Sequence, residues 1–311
     1  MPGDPPSDLP GDALGLYLHF PWCVRKCPYC DFNSHALRGE VPEADYVAAL
    51  LRDLDADLES LGDRVRPASS AFLGGGTPSL FSGAAIGQVL DGVRQRLGFT
   101  DEAEITLEAN PGTVDEAHFA GYRAAGVNRL SIGVQSFNPA HLQSLGRIHS
   151  RDDALRAMRV ARGAGFENVN LDLMFGLPGQ SADQALADLA QAIDLAPTHL
   201  SVYQLTLEPN TEFAARPPTL PDDDRIADMQ AALQARLADA GYAQYEVSAY
   251  ARPGRRSRHN LTYWTFGDYL GIGAGAHGKV TFQNGEIRRF WKTRQPEAYM
   301  NRIGSRTAGS Q

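Results

Sequence analysis

Six apolar runs, all but the last followed by residues at helical spacing, constrain this chain more than any other feature. Leu14 to Phe20 opens the series. Ala71 to Leu73, Glu104 to Glu108, Asn128 to Val134, Asn168 to Phe175 and His199 to Leu207 follow. Between the first two runs, Tyr46, Val47, Leu50, Leu54 and Leu58 recur on one helical face. Strands alternating with helices at this pitch predict a parallel sheet built of βα units. The regularity over this length favours a barrel-like sheet, and six units make an incomplete (β/α)6 barrel, short of the full eight. The predicted class is therefore α/β. A flexible arm at 1–13 precedes a partial barrel over 14–216, and a C-terminal α+β extension fills 217–311.

The extension begins after a linker, Arg216-Pro217-Pro218-Thr219-Leu220-Pro221. Asp222 to Ala240 reads as an amphipathic helix, with Asp222 or Asp223 as its cap. Gly241 to Tyr250 reads as a strand near the sheet edge. Gly271 to Gly278 is glycine-rich, and Thr307 to Gln311 carries no structure signal. A formal net charge of −8 without a long Lys/Arg block argues against nucleic acid as a partner. No apolar run approaches membrane-spanning length, so an integral membrane protein is not expected. Met1 to Asp12 lacks a positive flank before an apolar core and does not read as a signal peptide. Three free cysteines fit a reducing cytoplasm.

The residues that carry chemistry cluster at the ends of the predicted strands, where barrel sites sit. Cys23, Cys27 and Cys30, the whole cysteine complement, form CxxxCxxC after the first strand. Three thiolates are one short of a closed zinc site or a four-cysteine cubane. They read as a cubane with one iron open to a small molecule, or as zinc completed by His19 or His35. Gly74-Gly75-Gly76-Thr77-Pro78, after the second strand, reads as a close approach of backbone to ligand or as a tight turn. It matches neither the phosphate loop nor the dinucleotide fingerprint. Glu108 suits a ribose hydroxyl pair, and Arg147 suits a carboxylate. Singly, Glu108, Gln135, Arg147 and Asp172 are as well explained as structural residues; jointly, at successive strand ends, they mark one pocket. His259 stands among Arg255, Arg256 and Arg258, just before Tyr263 and Trp264. That setting reads either as an axial ligand to haem iron, with arginines for the propionates, or as a surface histidine near core aromatics.

Taken together, CxxxCxxC, GGGTP and the six-unit sheet resemble the radical S-adenosylmethionine proteins. Tyr17-Leu18-His19-Phe20-Pro21 narrows the resemblance to relatives of oxygen-independent coproporphyrinogen III oxidase. Phe32 stands where the true oxidases carry a further cysteine, and His259-Asn260-Leu261-Thr262-Tyr263-Trp264 matches an HNxxYW sequence. In both respects the chain is similar to the HemW haem chaperones, over about Leu14 to Tyr299. The resemblance implies a [4Fe–4S] cluster on Cys23, Cys27 and Cys30. It places S-adenosylmethionine against Tyr17, Tyr29, Gly75, Gly76, Thr77, Glu108, Gln135, Arg147 and Asp172, and haem on His259. It further implies a cytoplasmic protein, peripherally associated with the membrane, that hands haem to an acceptor haem protein, and it leaves a cluster-dependent homodimer open. Catalysis is left open too, the alternative being a radical enzyme such as the porphyrin oxidase or a methyltransferase. The family continues past the Tyr299 region into a further small domain, which this chain is expected to lack.

Overall fold

The computed structural model describes residues 13–302 and the strand Thr307–Ser310, so all but the last residue of the predicted arm lies outside the described residues. From the start, β1 (Leu14–Phe20) runs into a short pair, β2 (Trp22–Cys23) and β3 (His35–Ala36). The βα series continues through α1 (Glu43–Leu61), β4 (Ala68–Gly75), α2 (Gly83–Arg96), β5 (Phe99–Ala109), α3 (Glu116–Ala125) and β6 (Arg129–Gln135). Then come α4 (Pro139–Ser144), α5 (Arg151–Gly163), β7 (Asn168–Phe175), α6 (Ala182–Asp194) and β8 (His199–Gln204). Beyond them lie α7 (Glu212–Ala215), α8 (Asp223–Asp239), β9 (Ala243–Gln244), β10 (Ala249–Ala251) and α9 (Arg258–Trp264). The last elements are β11 (Asp268–Ile272), β12 (His277–Thr281), β13 (Ile287–Trp291), α10 (Pro296–Asn301) and β14 (Thr307–Ser310).

Local chemistry sets the helix starts. Ser150 and Ser181 each close a capping box, with Asp153 and Gln184 reaching back to the cap amide. Asp222 caps α8 by accepting from the Arg225 amide. In the sheet, Leu16, Leu18, Leu73, Leu107, Leu130 and Leu171 are fully enclosed beneath the helices. Their alternates, among them Tyr17, Phe72, Glu108, Ser131 and Asp172, turn to the inside of the barrel.

Twelve strands form one sheet in the order β14-β13-β12-β11-β1-β4-β5-β6-β7-β8-β10-β9. The six strands from β1 to β8 in this order are parallel, as the βα pattern requires. Among the described residues the two edge strands do not pair, so the barrel is incomplete. The extension feeds both edges. β10 and β9 add antiparallel beyond β8, whereas β11 joins β1 in parallel and β12 to β14 follow antiparallel. Two details depart from expectation. Thr307–Ser310 is a strand on β13, because backbone pairing needs no side-chain pattern. The stretch before Arg216 holds α7, whose Phe213 amide donates to Pro28 O at 2.9 Å and steadies the cysteine loop.

Candidate functional site

The C-terminal ends of the barrel strands enclose a cavity of about 430 Å³. Cys23, Cys27, Cys30 and Tyr29 line it from the loop after β1. Gly75, Gly76 and Thr77 face it from the end of β4, as do Glu108, Gln135, Arg147 and Asp172 from the units that follow. Eleven of the thirteen predicted residues are thus brought together, and only Tyr17 and His259 stand elsewhere.

The short pairing of Trp22 with His35 and of Cys23 with Ala36 ties the cysteine loop at its base. Each thiol then meets one polar partner. Thr77 Oγ1 donates to Cys23 Sγ at 3.4 Å, Arg147 Nη1 to Cys27 Sγ at 3.7 Å, and Ser34 Oγ lies 3.7 Å from Cys30 Sγ. Burial pushes the Cys23 and Cys30 thiols up, and these hydrogen bonds pull the other way. Among the described residues no three His, Cys, Asp or Glu side chains converge as ligands of one ion. The zinc alternative also lacks its fourth ligand. His19 spends both ring nitrogens, on Tyr17 OH and Asn33 O at 2.9 Å each, and His35 Nε2 lies 3.3 Å from Asn33 Oδ1. Thiols spread around one mouth suit a cluster, which distributes its ligands over several irons.

The glycine loop lines the cavity and is at the same time packed against its own chain. Three of its amides are engaged by protein: Gly75 N donates to Glu108 Oε2 at 3.1 Å, Gly76 N to Phe20 O and Thr77 N to Trp22 O at 2.7 Å each. A Cβ on Gly75 would lie 2.4 Å from the His19 ring, and its φ of +108° favours glycine. On Gly76 a Cβ would meet Trp22 O at 2.6 Å. Glycine here lets the chain pack on itself at the wall of the cavity.

Two carboxyls sit deep in the cavity. Glu108 is pushed up to about 8, by burial first and by Asp172 second. Burial also raises Asp172, against hydrogen bonds from Asn170 Nδ2 at 2.8 Å and Ser131 Oγ at 3.1 Å. Gln135 ends β6 at φ +67°, a strained setting for a residue with a side chain, and accepts from Tyr203 OH at 2.6 Å. Arg147 Nη2 donates to Gly133 O at 2.8 Å, while its Nε is buried without a partner. That orphan donor and the spread thiols fit a ligand that is polar and metal-bound. Tyr203 was not expected; the polar alternates of β8, His199, Ser201 and Tyr203, were the signal that pointed to it.

Tyr17 and His259 form a second centre, off the cavity. The His259 ring stacks on Phe72 at 4.2 Å between centroids and 17° between planes, and on Tyr17 at 5.9 Å. Tyr263 meets it edge-on at 4.8 Å. Burial pushes the imidazole down to about 3, so it is neutral at physiological pH. Neither ring nitrogen has a hydrogen-bond partner among the described residues. Nearby Trp264 is 53% exposed and Phe266 80%.

The model of the Radical SAM superfamily matches residues 17–192. The heme chaperone HemW of Escherichia coli (strain K12) is 59% identical, over 92% of this chain and 75% of its own length. HemW of Mycobacterium tuberculosis (strain H37Rv) is 38% identical, over 99% and 78%. Among solved structures, coproporphyrinogen III oxidase (HemN) from Escherichia coli, described as a radical SAM enzyme, superposes with a TM-score of 0.81 at 25% identity. That match covers 96% of this chain and 71% of the oxidase. With the superfamily match spanning more than half its length and such identity over about three quarters of these relatives, the chain belongs to the radical SAM superfamily and, within it, to the HemW family.

Proposed function

We propose that this protein is a haem chaperone: it binds haem through His259 and passes it to an acceptor haem protein, with a [4Fe–4S] cluster and S-adenosylmethionine held in the cysteine cavity. One observation carries the haem assignment. His259 presents a neutral imidazole, free of hydrogen bonds, on an aromatic stack at a half-buried position. An axial haem ligand needs a lone pair not already spent on a donor.

In the cavity, Cys23, Cys27 and Cys30 would hold the cluster. When bound, a three-cysteine cluster supplies one open coordination position and a single electron. This chain's residues do the rest. Arg147 Nε offers the unspent donor for a carboxylate. Glu108, protonated at neutral pH, would both donate to and accept from ribose hydroxyls. Tyr203 fixes the Gln135 amide, and Tyr29 helps close the wall with Phe213. The reading makes the acceptor a membrane haem protein and the contact peripheral; among the described residues no helix is long and apolar enough to cross a membrane. A cluster-dependent homodimer belongs to the same reading.

A radical enzyme acting on a porphyrin is the second reading, favoured by the complete cavity and by the superposition on the oxidase. Phe32, 57% exposed at the cavity mouth, stands against it. Anaerobic reconstitution followed by haem titration tests the first reading. His259→Ala should lose haem binding and keep its iron content; unchanged haem affinity in that variant would sink the assignment. Turnover of coproporphyrinogen III by the reconstituted wild type would favour the enzyme.

A further inference from the structure

Past β1 the sheet runs on through β11, β12 and β13, and its two faces differ. One face carries Leu270, Ile272 and Val280, all buried in the main core. On the same side of the molecule, Lys292 Nζ is locked between Asp53 and Asp57 of α1, at 2.5 and 2.7 Å.

The other face is continuous with the inside of the barrel. Register sets Gly15 opposite Tyr269, Tyr269 opposite Lys279, and Lys279 opposite Arg289. Residues in register project from the same face, so Tyr269 and Arg289 share the side on which Tyr17 meets His259. Two residues along, His277 stands opposite Trp291 on that same side. Ile287, Arg289 and Trp291 are exposed there, Trp291 at 38%. The face forms a shelf, and α9 is its raised edge.

A run of rings crosses this shelf. His259 meets Tyr263 at 4.8 Å, Tyr263 meets Tyr269 at 4.6 Å, and the Arg289 guanidinium hydrogen-bonds the Tyr269 side chain. Lys279 is spent, its ammonium taken by Phe266 O, Gly267 O and Asp268. Arg289 makes no ion pair with any described residue, so it is the cation of the shelf with charge to offer.

A flat aromatic ligand with a metal at its centre and carboxylates at its rim matches these features one by one. We propose that the porphyrin lies on the shelf formed by β11, β12, β13 and α9, with Arg289 pairing a propionate while His259 takes the iron. The inference rests on the reading of His259 as haem ligand. Tyr263, Tyr269 and Trp291 supply ring faces for stacking. Arg289 supplies a planar fork for a carboxylate. A polypeptide strand or a second copy of the chain would also cover an apolar shelf. Neither explains why its edge holds an imidazole without a hydrogen-bond partner and its floor a guanidinium without an ion pair, both among the described residues.

The test titrates haem and haem dimethyl ester, which lacks the carboxylates, into the full chain as wild type, Arg289→Gln and His259→Ala. Wild type should prefer haem. Arg289→Gln should lose about tenfold in haem affinity, about 1.4 kcal/mol, with its affinity for the ester unchanged. An Arg289→Gln variant that keeps the wild-type preference, or a wild type that has none, overturns the shelf. His259→Ala reports separately. If it loses haem while Arg289→Gln behaves as wild type, the shelf falls and the haem reading stands; if it keeps haem, the reading itself falls.

Discussion

The cysteine mouth and the His259 stack share strands β1 and β4 yet are built on opposite terms. At the mouth polar groups are engaged by protein, the Arg147 Nε excepted. Each thiol has a neighbour, three loop amides are engaged, and Glu108 and Asp172 are buried together. At the stack rings dominate, and the one imidazole is left without a hydrogen-bond partner among the described residues. His19 joins the two. Asn33 O only accepts, so His19 Nε2 carries the proton and Nδ1 accepts the hydroxyl hydrogen of Tyr17. Tyr17 thus leans on His259 through its ring and on the cysteine loop through its hydroxyl. Saturation marks a site organised around charge, and a lone base on rings marks a ligand held by one coordinate bond and by stacking.

The largest expected effect separates the two regions outright. Cys27→Ser removes one of three cluster ligands, so reconstituted protein should lose its iron and visible absorption while haem titration at His259 proceeds as in wild type. If haem binding falls with the cluster, the two regions are one site. Next in size is Lys292→Met, at the joint between the shelf and the barrel. It removes the ammonium that Asp53 and Asp57 share in the core, where breaking a buried pair costs about 3–5 kcal/mol. Thermal melts should show that loss, and an unchanged melting temperature would contradict the buried lock.

Legibility in the sequence divides along the same line. The mouth could be read because its chemistry is local. Cys23, Cys27 and Cys30 are close in the chain, and Glu108, Gln135 and Asp172 each follow from a position on its own strand. The stack could not, because its contacts join residues 17, 72 and 259, and nothing periodic ties α9 to β4. HNxxYW named His259 but not its neighbour Phe72. β11 on the far side of β1, with its exposed shelf, was equally hidden: the pairing spans most of the chain and is set by backbone geometry. The glycine loop kept two readings in sequence for a different reason. A glycine needed because His19 fills the space of its Cβ looks, in sequence, like one needed for a ligand.

Glu108 gives the mouth a pH signature that the stack lacks. In the unfolded chain its carboxyl titrates near 4.5, and in the fold near 8. Below pH 4.5 both states hold the proton. As pH rises from there to about 8 only the unfolded state releases it, so this residue's contribution to stability falls across that window and then levels off. Glu108→Gln does not titrate. Denaturation from pH 5 to 8 should show wild type losing stability relative to the variant, on the order of 2 kcal/mol. Parallel curves would show that Glu108 titrates normally. His259, held near 3, predicts the contrary for haem: binding that does not fall as pH drops through 6.5.

The smallest effect probes the link itself. Tyr17→Phe keeps the ring that stacks on His259 and Phe72 and removes only the hydroxyl bonded to His19. Losing one such hydrogen bond costs about 1 kcal/mol. The freed Nδ1 also lets the His19 ring take either tautomer, which loosens its hold on Asn33 O and hence on the end of the cysteine loop. Amide exchange should therefore quicken at Asn33 and Ser34 while the α9 amides keep their wild-type rates. Exchange that quickens on α9 instead would place the strain in the ring stack and make Tyr17 part of the haem centre alone.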